Sequence, residues 1–465
     1  MAVRIFSHYL QLRQLLLGAA ETVALFGSTY LAAFARFGRL NAYGHPFLSN
    51  FNYALLFAGI GVTCLISMGL YSARQRARTG AIVMRIAMAL LVTVLLVAIV
   101  SYLLPILMYG RGWLALTGVF AFVLVAVIHV SFLHLVDESV FKRRVLVYGA
   151  GRLAVTVSQL RRRSDQRGFV IAGYVPIEGE RQMVPEERVQ KIGGSLLEFS
   201  RAHDVHEILV AMDDRRRAFP VHELLECRLG GIDVIDIVSF LERETGKIRL
   251  DVLNPGWLIF AEGFRRNNLR VVSERIFDIV TALTLLTVAA PVIALTALAI
   301  IIEDGWRAGV LYRQIRVGFE GREFAVLKLR SMRVDAEKDG EARWSEAGDR
   351  RVTRVGRIIR KVRIDELPQL INVLVGDMSF VGPRPERPEF VAKLSERIPY
   401  YRERHSVKPG ITGWAQLCYP YGSSEKDATE KLQYDLYYVK NHSLLFDLTI
   451  LVQTVEVVLL SKGGR

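Results

Sequence analysis

The sequence predicts a membrane α plus α/β protein: four transmembrane helices, a Rossmann-like cytoplasmic domain, and a third domain built on a re-entrant helix. Three observations predict it. Four long apolar runs fill the first 140 residues, a strand, glycine turn and helix pattern begins after Arg144, and a fifth apolar run carries basic residues on both flanks. The composition agrees. Hydrophobic residues make up 51% of the 465 positions and mean hydropathy is +0.27, more apolar than a water-soluble chain of this length normally is.

The first domain, 1–140, contains apolar runs at roughly 12–35, 52–71, 81–104 and 113–136. Each is long enough to cross a bilayer as a helix. Arg74, Arg76 and Arg78 lie between the second and third runs, and Lys142, Arg143 and Arg144 follow the fourth. The other two connections hold only Arg36, Arg39 and Arg111. This Lys/Arg bias puts both ends of the bundle in the cytoplasm. Glu21, inside the first run, is either a functional intramembrane acid or a shielded one. The N-terminal run is too long for a cleavable signal peptide, lacks a small-residue cleavage site and is followed by further spans. The net charge of +14 calls for anionic partners, and positive-inside loops beside a lipid surface account for much of it. No recognised nucleic-acid module appears, so no nucleic acid is expected. Cys64, Cys227 and Cys418 show no metal-ligand spacing and imply neither a disulfide framework nor a zinc site.

The second domain, 141–265, opens with an apolar strand at 145–148, the turn Gly149-Ala-Gly151-Arg-Leu-Ala154, and a helical stretch to about Arg163. That order is the start of a nucleotide-binding α/β unit. Strands at 170–175, 207–210 and 232–234 follow, with helical segments between them. A glycine turn alone names no ligand, and no acidic residue stands clearly at the end of the second strand to hold a ribose. The domain therefore either binds a dinucleotide or serves a structural or regulatory purpose.

The third domain, 266–465, begins with the apolar run at about 279–302, with Pro291 at its centre. Arg265, Arg266, Arg270 and Arg275 precede it, and Arg307, Arg313 and Arg316 follow. A simple crossing would place basic clusters on both sides of the membrane, against the charge bias. Proline removes a helical hydrogen bond and bends the chain, so the run reads as a re-entrant helix, with an ordinary kinked span as the alternative. Beyond it the pattern gives a strand at 323–328 and helices at 353–363 and 366–375. The stretch 444–460, with Asp447 and Glu456, reads as an interfacial helix.

Candidate chemistry sits at 364–385. Asp365 and Glu366 follow a helix carrying Arg354, Arg357, Arg360, Lys361 and Arg363, and Arg384 stands between Pro383 and Pro385. Acid among so much base points to phosphates, because the positive field draws in an anion and keeps the carboxylates ionised. Pro368 suits the first turn of the next helix, which sets the dyad where the helix dipole stabilises anions. An ionised carboxylate there can attack phosphorus, and its neighbour can ligate a divalent ion. Taken alone, Asp-Glu before Leu-Pro is also an ordinary acidic helix start. Asp377, in Gly-Asp-Met-Ser, reads as a turn former, and His405 as a solvated histidine rather than a base.

The blocks around the dyad decide the matter. Ser273-Glu-Arg-Ile-Phe-Asp278, Tyr312-Arg-Gln314-Ile-Arg316-Val-Gly318, Lys328-Leu-Arg330-Ser-Met332, the dyad run, Lys408-Pro-Gly-Ile-Thr-Gly-Trp-Ala-Gln416 and Tyr434-Asp435-Leu-Tyr-Tyr438 resemble the bacterial sugar transferase family, the monotopic phosphoglycosyl transferases. They do so in the family's order over about 273–452. The stretch 248–264, with Trp257-Leu-Ile-Phe, resembles the subgroup tied to exopolysaccharide clusters of exosortase systems. The resemblance implies a polyprenyl-phosphate hexose-1-phosphate transferase. Asp365 would attack the β-phosphate of a UDP-sugar, UMP would leave, and polyprenyl phosphate, undecaprenyl phosphate in particular, would take the phosphosugar from Asp365 to start exopolysaccharide or related glycan assembly. Glu366 would help hold Mg2+, and Arg330, Arg360 and Arg384 would lie near phosphates. Lys328, Gln314 and Arg316 are neighbours of that site or ordinary surface groups. Asp435 is an acidic residue near the metal or a structural one. Pro291 would break the re-entrant helix, with Ala290 where the family often has Ser. The resemblance also implies a multi-pass protein of the bacterial inner membrane, in contact with membrane lipid, active site facing the cytoplasm, and a homodimer. Two rivals remain: a catalytically inactive membrane scaffold or regulator of polysaccharide assembly, and a membrane nucleotide-sugar dehydratase. The second needs a Tyr-x-x-x-Lys pair, which the sequence lacks.

Overall fold

The computed structural model describes residues 2–5, 8–38, 47–71, 79–103, 110–135, 142–160, 168–214, 219–253, 256–257, 261, 263–264, 268–306, 309–333, 351–419, 422 and 424–459. Several basic residues used above for orientation, Arg39, Arg74, Arg76, Arg78, Arg265, Arg266 and Arg307, lie outside the described residues, as do 161–163 and 258–260. The chain forms two compact units, Met1–Thr245 and Gly246–Arg465.

In the first unit, a short hairpin, β1 (Ala2–Ile5) and β2 (His8–Gln11), precedes α1 (Leu12–Phe37), α2 (Phe47–Ser67), α3 (Thr79–Leu103) and α4 (Arg111–Leu135). The hairpin was not foreseen; the four helices fall on the four predicted runs. Three of them are long and apolar enough to cross a membrane, while the apolar part of α2 is shorter, at Asn50–Ile66. Glu21 is fully buried among them. It accepts a hydrogen bond from the Tyr71 hydroxyl and lies 2.6 Å from Nδ1 of His129. An acid inside an apolar bundle must find partners there, and this one cross-links α1, α4 and the turn after α2. That is the shielded reading.

The α/β part of the unit holds β3 (Arg143–Tyr148), β4 (Phe169–Val175), β5 (Glu207–Val210) and β6 (Asp233–Asp236). They make one parallel sheet in the order β4-β3-β5-β6. Helices α5 (Arg152–Ser158), α6 (Leu196–Ala202), α7 (Val221–Leu229) and α8 (Ile237–Thr245) alternate with the strands. Gly149 has φ +127, and a Cβ there would lie 2.4 Å from the carbonyl oxygen of Ala211, so the turn needs glycine. The amides of this turn are already engaged. Ala150 donates to Glu180 at 3.0 Å, and Arg152 and Leu153 donate to Asp213 at 2.8 and 2.9 Å. Asp213 is itself held by Glu180, through a 2.9 Å bond from its own amide. Two of the chain's own carboxylates thus take the donors that a bound pyrophosphate would use. Neither Glu180 nor Asp213 was foreseen, because a sequence shows no contact between residues 30 and 60 positions apart.

The second unit starts about twenty residues before the predicted boundary at 265. Its opening stretch packs on α14 (Glu425–Asn441). The Ile248 amide donates to the Gln433 carbonyl at 3.0 Å, Lys247 Nζ lies 2.6 Å from Glu430, and Lys440 sits 4.2 Å above the Trp257 ring. Then comes α9 (Asn268–Asp304), a single 37-residue helix with Pro291 inside it. The predicted break is therefore absent as an interruption of helix: proline deletes one donor, and the neighbouring bonds carry the helix past it. Both ends of α9 are tied to the same body. Arg275 donates to the carbonyls of Val373 and Leu374 at 2.6 and 2.5 Å, and Asp278 accepts from the Ser379 hydroxyl at 3.1 Å and the Phe380 amide at 3.3 Å. At the far end Glu303 accepts from the amides of Arg354 and Val355 at 2.7 and 2.8 Å. Between these anchors Leu283, Val288, Leu295 and Leu298 are more than half exposed.

The rest of the unit runs β7 (Leu311–Val317), β8 (Glu323–Leu329), α10 (Arg354–Lys361), a 3-10 turn at Ile364–Glu366, α11 (Gln369–Val375), β9 (Ser379–Val381), α12 (Pro388–Arg397), β10 (Gly410–Thr412), α13 (Trp414–Cys418), α14 and α15 (Leu444–Leu459). β7 and β8 form an antiparallel hairpin, and β9 pairs parallel with β10. Ala282, Val326, Leu370, Val373, Met378, Phe380 and Tyr438 share one core. One boundary moves: the helix expected at 366–375 begins at Gln369 with Pro368 as its N-cap, and the dyad occupies the turn before it.

Candidate active site

Three local devices set the dyad in place. Helix α10 is capped by Thr353, whose hydroxyl accepts from the Gly356 amide at 2.9 Å, while Glu303 takes the two preceding amides. Arg363 then adopts a left-handed backbone, φ +60, a conformation that costs a residue with a Cβ about 1–2 kcal/mol. It reverses the chain so that 364–366 turns back under α10. Third, Asn372 on α11 reaches across to β8, donating from Nδ2 to the Ala325 carbonyl at 2.8 Å and accepting from the Leu327 amide at 3.0 Å. It therefore fixes the distance between the helix after the dyad and the strand that carries Lys328. Asn372→Ala leaves two main-chain groups of β8 without partners, and we expect a loss of about 2–4 kcal/mol, read as a lowered melting temperature of the detergent-solubilised protein.

Cross-strand register places Gln314 and Arg316 of β7 opposite Val326 and Phe324, and Tyr312 opposite Lys328, so Tyr312, Gln314, Arg316 and Lys328 share one face. Lys328 Nζ lies 3.4 Å from Oε1 of Glu366. Arg363 and Arg384 approach the same oxygen at 3.4 and 3.5 Å. Burial alone would raise the Glu366 carboxyl, but Arg384, Lys328 and Arg363 bring it down to about 2. Asp365 behaves oppositely. Burial, followed by the neighbouring Glu366 charge, raises it above the usual aspartate value against the pull of Lys328, Arg363 and Arg360. The basic field thus prevails at Glu366, whereas at Asp365, only 8% exposed, burial and the Glu366 charge oppose it and raise the carboxyl. Its Oδ1 is buried with no hydrogen-bond partner among the described residues.

Arg384 is presented by a loop with little choice of anchors. Pro383 and Pro385 have no amide hydrogen, so the loop is held by its carbonyls. Four in succession are taken. The Pro383 oxygen accepts from the Gly410 amide at 3.1 Å, the Arg384 oxygen from Arg404 at 3.0 Å, the Pro385 oxygen from Arg316 at 3.2 Å, and the Glu386 oxygen from the Val317 amide at 2.9 Å. Space is tight as well: a Cβ on Gly382 would fall 2.2 Å from the Lys408 carbonyl oxygen.

The structure therefore brings Asp365, Glu366, Lys328 and Arg384 together, with Arg360 near enough for its charge to act on Asp365. The other predicted residues stand differently. Arg316 braces Pro385 and is itself held by Gln314 Oε1 at 2.6 Å. Arg330 donates to the Gly309 carbonyl at 2.9 Å. Asp435 is buried against Arg404 at 2.8 Å. The Asp377 amide closes a turn onto the Asn372 carbonyl, as expected of a turn former. His405 is not solvated: its Nε2 is buried without a partner among the described residues, and burial together with Arg404 pushes it down to about 4. Sequence reasoning missed Asn372, Arg404 and Asp278, and nothing in their spacing marks them.

For magnesium, the Glu366 carboxylate beside Asp365 supplies the hard oxygen donors that the ion prefers, and Mg2+ is commonly held by one or two carboxylates with phosphate and water completing its shell. Among the described residues no group of three or more His, Cys, Asp or Glu could hold a metal unaided, so donors from a phosphate substrate would be needed.

Comparison with known proteins agrees with this geometry. The family described as bacterial sugar transferase matches residues 269–461, and one described as a CoA-binding domain matches 67–226. A UDP-N-acetylgalactosamine-undecaprenyl-phosphate N-acetylgalactosaminephosphotransferase from Aeromonas hydrophila is 40% identical over 242 residues, 52% of this chain and 56% of the relative. An undecaprenyl-phosphate glucose phosphotransferase from Komagataeibacter xylinus is 32% identical over 330 residues, 69% of this chain and 60% of the relative. The chain thus spans less than two thirds of those two relatives. A UDP-glucose:undecaprenyl-phosphate glucose-1-phosphate transferase from Escherichia coli (strain K12) is 32% identical over 353 residues, 74% of each chain. With that coverage, and with the family match at 269–461 taking in the dyad and its basic surroundings, the chain belongs to the bacterial sugar transferase family.

Proposed function

We propose that the protein transfers a sugar-1-phosphate from a UDP-sugar to a polyprenyl phosphate such as undecaprenyl phosphate, through a covalent phosphosugar on Asp365. The observation that carries this reading is the asymmetry of the dyad. One carboxylate, Glu366, is approached by three cations; the other, Asp365, keeps a buried oxygen without a hydrogen-bond partner among the described residues. An oxygen whose lone pairs are not engaged by a donor is available to form a bond to phosphorus. Asp365 attacks the β-phosphorus, the bond between that phosphorus and the bridging oxygen breaks, and UMP departs with the oxygen and its electron pair. An oxygen of the polyprenyl phosphate then attacks the same phosphorus and displaces the Asp365 carboxylate. Arg384, Lys328 and Arg363 face the space where diphosphate charge arrives, and guanidinium groups suit phosphate oxygens. Bound Mg2+, held with the help of Glu366, would offset charge on the leaving phosphate.

The apolar stretch of α9, anchored at both ends to one body and exposed between, supports a re-entrant helix that bends at Pro291, dips into the bilayer and returns. Such a helix would seat the dyad at the interface, where a lipid phosphate lies. We place the protein in the bacterial inner membrane with the site facing the cytoplasm, where nucleotide sugars are found. UMP release by the protein in nanodiscs, supplied with Mg2+, undecaprenyl phosphate and a panel of UDP-sugars, tests the reading. Release that depends on one or two donors supports it; no release from any donor by folded protein favours a scaffold.

A further inference from the structure

We infer that Arg404, together with its buried partner Asp435, is a positioning residue for Arg384. This rests on the reaction proposed above. Arg404 is 5% exposed, and each of its three guanidinium nitrogens has a partner. Of its five N–H donors, four are accounted for: Nε and one terminal nitrogen bind Oδ2 of Asp435 at 3.0 and 2.8 Å. The other terminal nitrogen donates to the Tyr401 hydroxyl at 3.0 Å. The nitrogen on Asp435 also donates to the main-chain carbonyl of Arg384 at 3.0 Å. Of the four carbonyl anchors on the Pro383–Glu386 loop, this is the one at Arg384 itself. It is also the one made by a side chain that a buried carboxylate holds in place. Two prolines leave the loop few alternative hydrogen bonds, so losing this anchor frees the residue whose guanidinium lies 3.5 Å from Glu366.

A buried ion pair explained by stability alone makes a different prediction. Replacing both members by apolar residues of similar volume is often neutral for stability, whereas removing one partner is not. The decisive protein is therefore the full chain in nanodiscs carrying Arg404→Met with Asp435→Leu, assayed for UMP release beside wild type, Arg384→Ala and the triple variant. Positioning predicts a melting temperature near that of wild type, kcat/KM for the UDP-sugar lowered about 30-fold or more, and no further loss when Arg384→Ala is added, because both changes remove one interaction. A folded double variant within about 3-fold of wild type overturns the inference, as does a loss that multiplies with that of Arg384→Ala. Should the double variant fail to fold, Arg404→Lys takes its place. It keeps the charge beside Asp435 but lacks the fork that reaches both oxygens. A 10-fold or larger loss, absent in the Arg384→Ala background, supports positioning; wild-type activity or a multiplying loss refutes it. No UMP release by wild type would instead sink the proposed reaction, so the two failures are distinct.

Discussion

Asp365→Asn is expected to abolish UMP release, by at least about 10^3-fold, while the protein stays folded. The amide matches the carboxylate in shape but cannot supply an anionic oxygen to phosphorus. The fold should tolerate the change well, since Oδ1 has no hydrogen-bond partner among the described residues to lose, and burial already opposes the charge. The melting temperature of the variant should equal or slightly exceed that of wild type: a raised carboxyl favours the protonated form in the folded state, so replacing it removes a burden present at neutral pH. Denatured gel analysis adds an independent readout. Wild type given a UDP-sugar with a labelled sugar and no lipid acceptor should retain label, and the variant should not. Equal UMP release by the two proteins would remove Asp365 as nucleophile.

The same raised pKa sets the acid side of the wild-type profile. Asp365 must be ionised to attack, so activity falls as pH drops through a value above that of an ordinary aspartate. Glu366 stays charged through that range, because its carboxyl lies at about 2. A pH profile of single-turnover UMP release reads this directly, and an acid limb at or below the ordinary aspartate value would contradict the burial of Asp365.

Much of this architecture was legible in the residues. The four N-terminal helices announce themselves because apolar runs of that length have few other fates, and the parallel strands because short β-branched runs alternate with helical stretches. The dyad and Arg384 were found because paired acids inside a basic run are unusual, and the family pattern around them is long. What escaped is long-range. Asn372 looks like one more polar residue on a helix until its side chain is seen bonded to two main-chain groups on one edge of β8. Arg404 sits in Arg402-Glu-Arg404-His405, which reads as a solvated face, and only the fold shows that Arg404, one 3-10 turn after the buried Tyr401, points inward. Charge patterning also misjudged Asp365, because it registers nearby arginines but not desolvation, and for this group desolvation is the larger effect.

Glu366→Gln should be nearly as damaging as loss of the nucleophile, by roughly 10^2-fold or more in kcat, and for a different reason. Glu366 Oε1 is the common counter-charge of Lys328, Arg363 and Arg384. A neutral amide leaves three cations facing one another, so they spread apart and no longer converge where the diphosphate arrives. The change also acts on Asp365, since the Glu366 charge is, after burial, the next cause of its raised pKa. Removing it lets Asp365 ionise more easily, so the acid limb of the variant should move to lower pH even as its maximum rate falls. Stability should change with pH too. A carboxyl depressed from 4.5 to about 2 on folding stabilises the protein above its unfolded value, and that contribution is lost as pH falls from about 4.5 toward 2. The variant should therefore melt lower than wild type at neutral pH and approach it in acid. A lower maximum rate accompanied by an acid limb shifted to lower pH would separate a counter-charge from a second nucleophile, whose loss would lower the rate at every pH and leave the limb where it was.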